Sequence, residues 1–285
     1  MRADPPEVVA DFDVMNPALP DLPPVTLTAL VADPADERRL AWRMLACPPV
    51  QDRRCDEGDP RLDLGSGVTD DPDSTSPTIS ADLAVTPELL RASLAGDQEG
   101  LGFGGLQIMV ELTVWPEGGQ STDGVVASKR VLYAPRIPAE RTANTNPTAD
   151  AIVTDETEPY DDEMLLLEGG PCADAAVVPR ALEAQKKIRL EPVETMGVRE
   201  TYVLPTLDGG ARAITENLRY AWFATAGSFS ADQTGGPVDF FGNDPPLHTY
   251  FTAPEEPGPV DLWMVQRDER GGTSWQRRCF DVQAP

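Results

Sequence analysis

From Val25 to Ala134, and again from Ile188 to Val282, the chain runs through a similar series of short segments in which apolar and polar residues alternate. The first series reads VTLTALVADP, LAWRML, LQIMVELTVW and VVASKRVLYA. The second reads IRLEPV, LRYAWFATAGSFS, HTYFTAP, VDLWMVQRDERGG and TSWQRRCFDV. Alternation with period two selects strands with one buried face and one polar face. The clearest segment sets Leu106, Ile108, Val110, Leu112 and Val114 inward against Gln107, Glu111 and Thr113 outward. Leu40, Trp42 and Met44 alternate in the same way around Arg43. A sheet with one apolar face must cover it with a second layer, so each series is expected to close into a β-sandwich.

Short strands with a tryptophan (Trp42 or Trp222) in an early central strand are the pattern of a sandwich of immunoglobulin type. The expected fold is therefore all-β, with two immunoglobulin-like sandwiches in tandem and a length of 285 residues that suits two domains. The first is expected over residues 1–134, including a proline-rich N-terminal arm in which Pro5-Pro6-Glu7-Val8-Val9 can serve as an edge strand. Residues 135–170 read as an extended acidic linker, and residues 171–285 as the second sandwich. Residues 47–77 read as a long loop. TPELLRASL, from Thr86, reads as a short helix with threonine as N-cap and proline at the first helical position. Pro179-Arg-Ala-Leu-Glu-Ala-Gln185 reads as one or two helical turns.

The four cysteines form two distant sets, Cys47 with Cys55 and Cys172 with Cys279. Four cysteines allow three connectivities. The expected bonds are Cys47–Cys55, closing a small loop after a strand, and Cys172–Cys279, tying a lead-in segment to the last strand. An even number without a C-x-x-C spacing points to disulfides and an oxidising compartment; zinc would need closely spaced pairs with histidines, and the chain has one histidine. The sequence opens MRADPPEVV, without the basic-then-apolar run of a secretory leader, so an exported chain whose leader was removed is expected. No apolar run approaches the ~18 residues of a membrane helix.

A formal net charge of −25, from 48 acidic and 23 basic residues, sets the chain against nucleic acid and anionic lipid. It suits a cation-rich setting or a basic partner. Asp33, Asp36 and Glu37, and separately Asp70, Asp71 and Asp73, are candidate calcium loops, with Asp161, Asp162 and Glu163 as a third cluster. None has EF-hand spacing, and no other cofactor is expected. His248 has no G-x-S-x-G elbow to serve, and the G-x-G-x-x-G match at Gly100–Gly105 precedes a strand where the dinucleotide fingerprint needs a helix. Catalysis is not expected.

YAWFATAGSFS, then FTAP, a strand ending in RDERGG, and TSW with a closing strand resemble bacterial Ig-like repeats of the PKD and invasin kind. The matching positions are the Trp222 strand, Ala253-Pro254 before a Gly-Pro turn, and the hairpin from Asp268 to Gly272. The first domain is similar, with Ala32-Asp33-Pro34 after its second strand and Lys129-Arg130 in its last. The whole chain resembles tandem-domain surface lipoproteins of myxobacteria, in which ADPPEV, a short cysteine loop and an NTNP-like linker follow a lipidated cysteine. That cysteine is missing here, so a membrane link is implied only through an anchor this chain does not contain. The resemblance implies a non-enzymatic protein of the outer-membrane surface, extracellular space or periplasm, acting as a spacer, adhesion or structural assembly subunit.

The strand from Val260 to Arg267 carries apolar residues on both faces: Leu262 and Met264 on one, Trp263 and Val265 on the other. Trp263 and Trp275 are therefore candidate contacts for a protein partner or for self-assembly. The alternative function is a carbohydrate-binding module with loop-bound calcium, using Trp115, Trp263 and Trp275 as a sugar platform.

Overall fold

A computed structural model of the chain describes residues 1–13, 22–31, 39–49, 54–69, 77–97, 104–149, 151–155, 165–206 and 210–284. The chain forms two compact units. The first comprises Met1–Asn146 with Thr201–Thr215 and Arg270–Gly272. The second comprises Pro147–Glu200, Glu216–Glu269 and Thr273–Pro285.

The first unit begins with strands β1 (Arg2–Asp4), β2 (Glu7–Ala10), β3 (Val25–Leu30), β4 (Leu40–Cys47), β5 (Leu62–Val68) and β6 (Thr78–Leu83). Helix α1 (Pro87–Gly96) and strands β7 (Leu106–Pro116) and β8 (Val125–Pro135) follow. They pair as a three-stranded sheet, β1-β3-β6, and a five-stranded sheet, β2-β8-β7-β4-β5. The chain changes sheets near its start: β1 runs antiparallel to β3, and β2 runs parallel to β8. Val25, Leu27, Ala29 and Leu83 of the small sheet meet Met44, Ile108, Val110 and Tyr133 of the large one. Leu89 and Leu90 of α1 close the same core, and the Thr86 hydroxyl caps the helix by accepting from the Leu89 amide at 3.3 Å.

The span 47–77 contains β5, which pairs with β4, so its middle is a sheet edge. Its sequence, LDLGSGV, carries two glycines, which lower strand propensity. Those glycines make room for Trp42: a side chain at Gly67 would come within 3.2 Å of the indole nitrogen. Trp42 is accordingly only partly buried, packed against the core from its edge.

Tyr133 is fully buried, and among the described residues its hydroxyl has no hydrogen-bond partner. Burial pushes its pKa well above the ordinary tyrosine value. A buried hydroxyl without a partner costs about 1–3 kcal/mol. Tyr133→Phe is therefore expected to raise the stability of the first unit by about 1 kcal/mol. Chemical denaturation measures this, and a loss of stability would show that the hydroxyl is bonded.

The second unit repeats the topology. Its strands are β9 (Ala151–Asp155), β10 (Leu165–Leu166), β11 (Arg180–Glu183) and β12 (Lys187–Val193); the chain then forms the β13–β14 hairpin (Thr201–Pro205 and Ala211–Thr215) that belongs to the first unit. β15 (Arg219–Ala224), β16 (Ser228–Phe229), β17 (Gln233–Gly235), β18 (Thr249–Thr252), β19 (Gly258–Arg267) and β20 (Thr273–Gln283) complete it. The sheets are β10-β9-β12-β18-β16 and β11-β20-β19-β15-β17. Once more the opening strand is divided: β9 runs antiparallel to β12, and β11 parallel to β20. Within the span 135–170, Ala151–Asp155 thus supplies a strand of this sandwich.

Arg180–Glu183 forms a strand where the sequence suggested a helical turn. Four residues cannot sustain a helix alone, and the free edge of β20 offers a ladder instead. Ile188, Leu190 and Phe251 from one sheet meet Trp222, Leu262, Met264 and Phe280 from the other. The Trp222 indole N–H donates to the Thr234 hydroxyl at 3.0 Å, which satisfies the one polar atom that this ring buries. Polar side chains fasten the start of the unit. Gln266 accepts from the Ala149 amide at 2.7 Å and donates to Ser274 at 2.6 Å, while Gln276 donates to the Ala149 carbonyl.

Candidate functional site

The candidate site is the outer face of β15, β19 and β20, and strand register determines its membership. Inward residues of β19 (Val260, Leu262, Met264) enter the core, so Asp261, Trp263 and Val265 point away from it. Trp263 stands opposite Phe223 on one side and Arg277 on the other; Val265 stands opposite Ala221 and Trp275. Register therefore brings Trp263 and Trp275, 12 positions apart in sequence, onto one face as diagonal neighbours. Phe223, 52% exposed, extends the apolar row.

One end of this face is covered. The Cys172–Cys279 disulfide draws the lead-in segment against β20, Gly170 donates to the Arg277 carbonyl at 2.9 Å, and the Cys172 amide donates to Asp261 at 2.9 Å. Asp261 also pairs with Arg277, whose nitrogens donate to it at 2.8 and 2.6 Å. The Arg277 guanidinium lies over the Trp263 ring, 4.9 Å from its centroid. Such a contact holds the indole in place and takes up one of its faces.

The other cysteine pair shapes the first unit. Cys47 bonds Cys55 across a separation of eight residues. This folds the following turn over the outer face of β4 and β7, where the Cys55 amide donates to the Glu111 carboxylate at 2.8 Å and Arg54 donates to Thr113 at 2.9 Å. Glu111, outward in the alternation, is buried by that turn. Trp115, near the end of β7, lines an apolar cleft of about 490 Å³ with Leu30, Val31, Leu40, Val114 and Val125. Trp115 thus lies in the first unit, while Trp263 and Trp275 belong to the second.

Asp33, Asp36, Glu37, Asp70, Asp71 and Asp73, as well as Asp161, Asp162 and Glu163, lie outside the described residues. Among the described residues no group of three histidine, cysteine or acidic side chains is placed to hold a metal. His248 packs edge-on against Tyr250, with ring centroids 5.4 Å apart. Burial pushes the Glu194 carboxyl up, but hydrogen bonds from Arg199 and the Tyr220 hydroxyl, with the Arg199 charge, outweigh it and hold the group below its ordinary value. Hydrogen bonds from the Asn243 side chain and backbone hold Asp239 low as well. Both carboxyls remain ionised at neutral pH and act as acceptors; neither is tuned as a proton donor.

Sequence reading missed Phe223, because the strand register that joins it to Trp263 is a long-range property. It also missed Phe240 and Phe241, which are 98% and 85% exposed. A doubled phenylalanine between Gly-Gly-Pro and Gly-Asn was the available signal.

No protein-family profile matches the chain, and no curated protein matches it. Among solved structures, Escherichia coli alpha-2-macroglobulin activated by porcine elastase aligns at 8% identity, covering 92% of this chain and 21% of that one, with a TM-score of 0.24. Invasin, a bacterial integrin-binding protein, aligns at 12% identity over 92% of this chain and 36% of its own, with a TM-score of 0.23. The fibronectin(III)-like modules of Clostridium thermocellum CbhA align at 6% identity over 98% and 89%, with a TM-score of 0.23. The chain spans less than two thirds of the first two. The two-sandwich fold is established by the sheet pairing itself.

Proposed function

We propose that the chain is an exported, non-enzymatic protein that works by docking, as a spacer, adhesion or assembly subunit, and that a protein partner engages the outer face of β15, β19 and β20. The observation that carries this is the row Phe223, Trp263, Val265 and Trp275, set on a sheet whose opposite face already fills the core. Aromatic residues held on paired strands provide anchors at small entropic cost. Two disulfides among the described residues fit an oxidising compartment, and no described helix is long and apolar enough to cross a membrane.

Polysaccharide is the weaker reading of the same face. A sugar platform needs bare ring faces, and Arg277 covers one face of Trp263. Labelled chain applied to immobilised surface proteins and polysaccharides tests the choice. Binding to a protein is expected, weakened about tenfold or more by Phe223→Ser or Trp275→Ser. Binding to polysaccharide alone would reject the proposal, and so would protein binding that ignores both substitutions.

A further inference from the structure

The loop between β17 and β18 carries an apolar knob. Phe240 and Phe241 sit side by side at its tip, ring centroids 5.7 Å apart and nearly perpendicular. The turn beneath them is well tied. The Asp239 carboxylate accepts from the Phe241 amide at 2.8 Å and from the Asn243 amide and side chain at 2.9 Å. The Asp239 carbonyl accepts from Gly242 at 3.0 Å, and Gly242 supplies the left-handed backbone, φ 83°, that the turn requires. Two phenylalanines presented to water on an ordered turn cost solvation energy without contributing to a core, so they point to a partner.

The first unit offers a hole of matching chemistry. The open cleft between the ends of β3, β4, β7 and β8 has a volume of about 490 Å³ and a mainly apolar lining that includes Leu40, Val114, Trp115 and Val125, with Asp123 as its acidic member. Val125, on its rim, is 76% exposed. Phe240, at 98% exposure, is free to enter a partner. We infer that the Phe240–Phe241 tip of one molecule seats in the Leu40–Trp115 cleft of a second copy, joining chains head to tail. This rests on the assembly role proposed above and gives it a specific contact.

Knob and hole are different surfaces, so the contact is heterologous, and two copies joined through one such contact leave one knob and one hole open. The interface is small. Two buried phenylalanines and the wall they cover remove roughly 800 Å² in total, below the roughly 1,200–2,000 Å² of stable complexes. A net charge of −25 on each copy adds repulsion. Assembly is therefore weak, concentration-dependent and strengthened by salt, which screens the repulsion while leaving apolar contact intact.

Sedimentation velocity of the full chain, from micromolar to millimolar concentration in low salt and in about 1 M NaCl, tests this. The wild type is expected to form a ladder of oligomers that grows with concentration and salt. Phe240→Ser with Phe241→Ser, and separately Val125→Glu, are expected to weaken association about thirtyfold or more. All three positions are exposed, so the fold should be untouched. Mixing the two variants should give a one-to-one dimer and nothing larger, because one intact knob meets one intact hole.

A monomeric wild type under every condition would overturn the inference, and so would a knob variant that assembles like the wild type. Flotation with phosphatidylcholine vesicles that is lost in the knob variant would give the tip to a bilayer and equally overturn it. Phe223→Ser separates the two proposals. If it alone abolishes assembly, the β15–β19–β20 face joins the copies, and the knob reading fails while the docking reading stands. If assembly follows the knob and hole but no protein binds the sheet face, the docking reading fails alone.

Discussion

Replacing Cys172 and Cys279 together by alanine is expected to destabilise the second unit by about 4–5 kcal/mol. The bond joins residues 107 positions apart, and confining so long a loop removes much of the unfolded chain's freedom. The corresponding fall in unfolding midpoint is roughly 15–25 °C. The double alanine variant of Cys47 and Cys55, eight positions apart, should lose only about 2–3 kcal/mol by the same loop-length dependence, and from the first unit. Thermal unfolding of both variants beside the wild type, with peptide mapping under non-reducing conditions, checks this. Equal losses would contradict the loop-length account, and a fragment linking Cys47 to Cys172 would contradict the pairing.

Glu7→Ala should cost the first unit about 3–5 kcal/mol. Its carboxylate is 1% exposed. Arg141 donates to it at 3.3 and 3.0 Å, the Asn144 amide at 2.9 Å, and Arg270 pairs with it at 3.5 Å. Arg270 further donates to Asn144 at 2.9 Å and lies over the Tyr202 ring. Removing Glu7 takes away the carboxylate that both buried guanidinium groups share, and the loss of that shared counter-charge is the source of the penalty. Glu7→Leu combined with Arg141→Leu should recover part of the loss, since both charges of that pair then leave the interior together. Denaturant unfolding of the four corners of this cycle measures the coupling. A cost under about 1 kcal/mol for Glu7→Ala would place the cluster with ordinary surface pairs.

Local pattern identified the elements whose burial is one-sided. Leu106 to Val114 showed its two faces in sequence, and the structure places Leu106, Ile108, Val110 and Leu112 in the core. Thr86 and Pro87 marked the start of α1 at the residue where it begins. The pattern failed where a strand is held by its neighbour and not by its own composition. Leu62–Val68 is glycine-bearing and forms β5 because β4 offers a free edge and Trp42 needs the space. Arg180–Glu183 has helical composition and forms β11 because β20 supplies the ladder. Glu7 was legible only as part of an edge strand; its partners lie 134 and 263 positions away.

The candidate face shows the same division. Trp263 was visible as the odd member of a strand apolar on both sides. Its company was not: Phe223 and Trp275 join it through antiparallel register, and Arg277 covers it because Asp261 holds the guanidinium on that face. The sequence by itself determined that the chain is all-β in two sandwiches, because period-two alternation is a local property and each one-sided strand requires a covering layer. Tertiary structure alone decided which residues became neighbours: that Phe223, Trp263 and Trp275 share one face, that Glu7 is locked between two arginines, and that Phe240 and Phe241 remain in water. Those outcomes depend on strand pairing and chain reversal over long separations, where contact is set by register and packing and not by position along the chain.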